Sequence, residues 1–141
     1  MRVLVLVKAT AESERGEMPS EELMVEMGNF NDALLDAGIL LEGEGLKPTS
    51  EGKRVVFDGT DRRVIDGPFD EPNNQVAGFW LWQVKDMDEA LDWVKRCPNP
   101  MPGRSEIEIR PLYELSDLEG IVPKEVANQE RRQRERLAER K

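Results

Sequence analysis

"VAGFWLWQV", Val76–Val84, decides the fold. A strand with one wet face alternates apolar and polar residues. Here Phe79 and Leu81 alternate with Trp80, Trp82 and Val84, and both sets are apolar. The opening strand, "RVLVLV" at Arg2–Val7, behaves alike: Val3, Val5 and Val7 take one side, Leu4 and Leu6 the other. Both runs therefore belong in the middle of a sheet covered on two faces.

Two amphipathic helices supply cover for one face. The first is expected from about Ser20 to Ala37. Ser20 caps it, Glu21 and Glu22 suit the positive end of its dipole, and Gly38 stops it. Leu23, Met27, Phe30 and Leu34 make its apolar stripe. The second starts at Asp86, three residues before Glu89, a capping-box spacing, and runs to about Arg96. Its stripe is Met87, Ala90, Leu91 and Val94. "ILLEGEGLKP", Ile39–Pro48, reads as a glycine-interrupted strand, and "KRVVFDGTDRRVI", Lys53–Ile65, as a hairpin turning at Asp58-Gly59. "EIEIRPL", Glu106–Leu112, is the last core strand, and the acidic run Glu12–Glu17 reads as a loop. The order is β-α-β-hairpin-β-α-β. A second copy of the same sheet is the natural cover for the other face, giving a symmetric homodimer. Its interface is expected to hold either the Trp80/Trp82/Val84 row or the Phe79/Leu81 row.

Composition narrows the function. The net charge of −9 argues against general nucleic-acid binding and against an anionic membrane surface. No run approaches the ~18 apolar residues of a membrane span, and the first ten residues read as a strand, not a signal peptide. One cysteine, Cys97, forms no internal disulfide, so a cytoplasmic location is expected. The chain has no histidine, which excludes Ser-His-Asp and Cys-His catalysis and histidine-bearing zinc sites. Proton transfer would fall to a carboxylate, a lysine, Tyr113 or Cys97. From Pro123 onward the chain carries seven basic and four acidic residues, on a remainder that is strongly acidic. That tail reads as a solvated helix laced with Glu/Arg pairs, or as an arm for an acidic partner surface.

The stretch "VIDGPFDEPNNQVAGF", Val64–Phe79, is long for a strand connection. Asp66 is either an Asx-turn residue or a general base, and Glu71 a second acid/base candidate beside Asp70. Phe69 is a plug beneath the loop or an aromatic wall for a ligand. Arg110 is the best anion binder, or else an ion-pair partner of Asp66 or Glu71. Asp36 sits unfavourably at a helix C-terminus and is a weak ligand-binding candidate. Cys97 reads as a packing residue. No metal site or cofactor is expected.

Asp66-Gly67-Pro68-Phe69, Glu71, Gly78 with the aromatic after it, the Asp88-Glu89-Ala90 helix start and Arg110-Pro111 together resemble the DGPF branch of the YCII-related family. Weaker similarity extends the match over about residues 1 to 113. The resemblance implies a ferredoxin-like α+β fold, with two helices on one face of an antiparallel sheet, that pairs as a dimeric α/β barrel. Residues 1–115 would form the domain and 116–141 a charged, helical tail. Most members have no established function. A few relatives act on small aromatic or lactone-like compounds through a His-Asp pair, which this chain lacks. Asn73-Asn74 stands where DGPF members usually carry Lys-Glu. Some DGPF members are encoded beside sigma factors. Two readings follow. One is a dimeric small-molecule-binding protein with carboxylate-assisted acid/base chemistry on a small organic anion. The other is a non-catalytic accessory or regulatory protein, such as the partner of a transcription factor.

Overall fold

A computed structural model describes residues 1–71 and 74–140. Asn73 of the Asn73-Asn74 pair thus lies outside the described residues. The chain divides into two units, Met1–Pro111 and Leu112–Lys141.

The first unit is a mixed α+β layer structure. Its elements are β1 (Arg2–Lys8), α1 (Ala11–Glu14), α2 (Glu21–Asp36), β2 (Leu40–Gly45), β3 (Lys53–Asp58), β4 (Asp61–Asp66), β5 (Val76–Gln83), α3 (Met87–Arg96) and β6 (Ile107–Pro111). Four strands make one antiparallel sheet in the order β2-β5-β1-β6. Two β-α-β units, β1-α2-β2 and β5-α3-β6, thereby interleave. β3 and β4 form a separate two-stranded sheet in which Asp58 opposes Asp61. Gly59 at their turn has φ of 61°, a value glycine adopts freely.

Local signals set the helix ends. Leu23 N–H donates to Ser20 Oγ at 3.1 Å, and Glu89 N–H donates to Asp86 Oδ1 at 2.9 Å. Glu89 Oε1 accepts from Lys85 N, one residue before the cap. Gly38 ends α2 with φ of 74°. The acidic run read as a loop contains a short helix, α1. Thr10 and Ser13 cap one another reciprocally, and serine in the place usually held by Glu or Gln hides the motif.

Register settles the two-faced strands. Val3 opposes Trp82 and Val5 opposes Trp80 on the helix side; Leu4 opposes Leu81 and Leu6 opposes Phe79 on the other. The tryptophan row is therefore core and not a free surface. Val3, Val5, Leu34 and Trp82 are fully buried, with Phe30, Ile39, Trp80, Val84 and Ala90 beside them. Phe30 meets Trp80, Trp82 and Trp93 at ring distances of 6.0, 6.3 and 6.2 Å. Leu91, expected in the stripe of α3, is instead exposed. Trp93, wider than leucine, packs against the core in its stead.

The second unit holds α4 (Leu115–Leu118) and α5 (Lys124–Glu139). α5 buries none of its residues, and Arg134 pairs with Glu130 one turn earlier at 3.2 Å. No helix among the described residues is long and apolar enough to cross a membrane. With so little to bury, the tail adds little to folding. A chain ending at Val122 is expected to melt within a few degrees of the full chain, equivalent to ~1 kcal/mol or less. Calorimetry reads the shift directly; a collapse of solubility on truncation would instead mark α5 as an interaction arm.

Candidate functional site

The residues singled out above do not converge. Asp66 closes β4 and pairs across the hairpin with Lys53, Nζ to Oδ1 at 2.5 Å, both side chains exposed. Arg110 lies opposite Leu4 on β6, in the other sheet, and pairs with Glu108 at 3.3 Å. Glu71 accepts a hydrogen bond from Asn74 Nδ2 at 2.8 Å. Phe69 lies beneath the Arg54 guanidinium, 3.8 Å from its ring centre. Asp36 is the exposed last residue of α2. The expected Arg110–Asp66 or Arg110–Glu71 pair is replaced by two short-range ion pairs, each formed with a strand neighbour.

What the DGPF loop does is brace. Gly67 N–H donates to Gly52 O at 3.0 Å, and the Gly67–Pro68 peptide is cis. Gly67 lies so close to the backbone of Thr49 that a Cβ there would stand 1.7 Å from the Thr49 carbonyl oxygen. Phe69 N–H donates to Thr49 Oγ1 at 3.1 Å. That hydroxyl in turn donates to the Glu14 carboxylate, which also accepts from Thr49 N at 3.2 Å. One chain of hydrogen bonds thus joins the loop, the turn at Thr49–Glu51 and α1.

α1, with Lys47 and Pro48 just before that turn, walls a cleft. Its volume is about 1030 Å³, at the top of the usual range for small-molecule sites. The N-terminal half of α2 roofs it, and the ends of β2 and β5 form its floor. Met18, Met24, Met27 and Met101 supply soft, adaptable walls. The floor is nearly bare backbone around the Trp80 ring, from Gly43, Gly45 and Gly78. A Cβ on Gly43 would come within 2.7 Å of Trp80 Cδ1, so only glycine lets the indole lie there. Gly28, mid-helix in α2, also lines the cleft and has nothing within 4 Å of its would-be Cβ.

Few polar groups face this space. Trp80 Nε1 donates to Asn31 Oδ1 at 3.0 Å. Glu12, Glu17 and Glu44 line the cleft, with Lys47 the one cation among the described lining residues. Glu17 is held by Arg15 at 2.6 Å. Hydrogen bonding to its own backbone amide, then to the Thr10 hydroxyl, lowers the pKa of Glu12 below the usual carboxylate value. Cys97 is half-buried, and burial pushes its thiol up to about 11, so it is no nucleophile at neutral pH. Asn31, Trp80 and the glycines carry no catalytic motif. The available signals were two glycines inside the β2 strand and one in mid-helix, positions where glycine costs stability.

The sequence profile of the YCII-related domain matches residues 1–116. An uncharacterized protein of Rhizobium meliloti (strain 1021) is 32% identical over 92 residues, which span 65% of this chain and 74% of that protein. The chain belongs to the YCII-related family.

Brace and surface pair are separable by mutation. Asp66→Asn removes one exposed ion pair and is expected to cost under ~1 kcal/mol. Gly67→Ala drives a methyl into the Thr49 backbone and is expected to cost about 3 kcal/mol, the upper end for overpacking. Urea denaturation of the two variants checks the contrast, and equal losses would refute the brace.

Proposed function

We propose that this YCII-related chain is a DGPF-type small-molecule-binding protein, with a ferredoxin-like sheet that pairs with a second copy as a dimeric α/β barrel. The observation that carries the binding role is the cleft: large, mostly apolar, floored by glycine and walled by methionine. Such surfaces fit apolar organic bodies and adapt to their shape. Binding is a better reading than proton abstraction, because the cleft is mostly apolar, Glu17 is tied to Arg15 and the pKa of Glu12 is lowered. Gly67 and Phe69 serve the site through the brace, with Asp66 in a surface ion pair outside it. Support for pairing comes from Leu4, Leu6, Phe79 and Leu81, one apolar row on the sheet face away from α2 and α3. The alternative accessory role draws its support from α5, a sixteen-residue charged helix with none of its residues buried.

Binding is tested by a ligand-observed NMR screen of small aromatic compounds against the full chain and against Gly28→Leu. The added side chain enters open space and replaces a poor helix former, so the variant is expected to melt no lower than the wild type while losing every hit. Hits unaffected by the change would place binding elsewhere.

Pairing is tested by sedimentation. The wild type is expected to be a dimer at micromolar concentration, with an interface of about 2,000 Å² or more, and Leu81→Glu a monomer. A monomeric wild type refutes the pairing.

A further inference from the structure

The orientation of one side-chain amide says what kind of molecule the cleft takes. Tryptophan Nε1 only donates, so the Asn31 atom facing it at 3.0 Å must be the oxygen. The bond therefore fixes the amide with its Nδ2 turned away from Trp80. Asn31 lines the cleft, and the Nδ2 group brings two donors to a stretch of lining shared with Met24, Met27, Gly28 and the Trp80 ring. A donor pair in apolar surroundings selects a ligand with an acceptor and discriminates against one without, because an unmet donor there costs the desolvation of that group.

Charge narrows the acceptor further. The lining carboxylates are Glu12, Glu17 and Glu44, against Lys47 alone, whose Nζ stands 3.8 Å from Glu51. Glu12, with its lowered pKa, is ionised at neutral pH. An anion entering this space meets like charge and no convergent cation. An ammonium group suits the rim yet offers the Asn31 amide nothing to accept its protons.

We propose that the ligand is a neutral molecule with an aromatic or alicyclic body and a carbonyl oxygen, and that Asn31 Nδ2 donates to that oxygen with the body lying over Trp80 between the methionines. The proposal rests on the cleft-binding reading above and replaces the small anion expected at Arg110. Asn31 is then a binding residue whose geometry is set by the same indole that floors the site.

Four naphthalenes of matched size separate the alternatives: acetylnaphthalene, ethylnaphthalene, naphthoate and naphthylmethylammonium, titrated into isotope-labelled full-length protein. The ketone is expected to bind about tenfold more tightly than the other three, as for one well-placed hydrogen bond in an apolar site. Its titration is expected to shift the Asn31 side-chain amide protons, a readout that needs no mutation. Asn31→Asp keeps an acceptor for Trp80 Nε1 but replaces the donors with a carboxylate. It is expected to retain the melting temperature and to lose about tenfold in ketone affinity, leaving ethylnaphthalene unchanged. Equal binding of ketone and naphthoate, preference for the ammonium, or an unshifted Asn31 amide overturns the proposal while leaving the cleft a binding site. If none of the four binds, the cleft reading falls and this proposal with it.

Discussion

The ring contacts of Phe30, edge-to-face with Trp80 and Trp93 and tilted with Trp82, hold the first unit together. Its ring touches Trp80 and Trp82 from β5 and Trp93 from α3, so one side chain of α2 joins three elements. Each such pair adds about 0.5–1.5 kcal/mol beyond the area it buries. The same contact positions the candidate site. Asn31 follows Phe30 on the helix, and once Phe30 is seated the Asn31 amide falls within reach of the Trp80 indole. Fold and cleft therefore share one anchor.

The DGPF loop shows how residues that resemble chemistry can be doing mechanics. Two carboxylates, an aromatic ring and a proline invite a catalytic reading. Their actual partners are Lys53, Asn74 and Arg54, on exposed or partly exposed surface. What matters is the absence of a side chain at Gly67 and the hydroxyl of Thr49, a residue far off in sequence that ties the loop to Glu14. The loop supports the cleft from behind.

Much of the architecture was legible because its signals are local. Ser20, Asp86 and Gly38 mark helix ends within a few residues, and Asp58-Gly59 marks its hairpin. The two-faced apolar pattern of β1 and β5 placed both in mid-sheet. Period two cannot say which row meets the helices; register groups Trp80 and Trp82 with Val3 and Val5, and packing against Phe30, Leu34 and Ala90 makes that row the core. The α1 helix escaped notice because four residues carry no apolar periodicity. The cleft was illegible for a deeper reason. It is made of missing side chains and unreactive methionines gathered from separate segments, and neither spacing nor chemistry announces such a set.

The uneven anchoring of α2 has a consequence for motion. Its buried residues, Phe30 and Leu34, both lie in its second half. The first half, over the cleft, shows Met24 and Val25 to solvent, and Gly28 separates the two halves. Glycine there weakens the helix by about 1 kcal/mol relative to alanine. The turns before Gly28 are thus the least costly part of the helix to unwind, and unwinding them opens the roof without disturbing the aromatic anchor. In hydrogen-exchange terms, amides before Gly28 belong to a fast local opening and those after it to the global one. A molecule held under the roof slows the first class and leaves the second set by the stability of the fold.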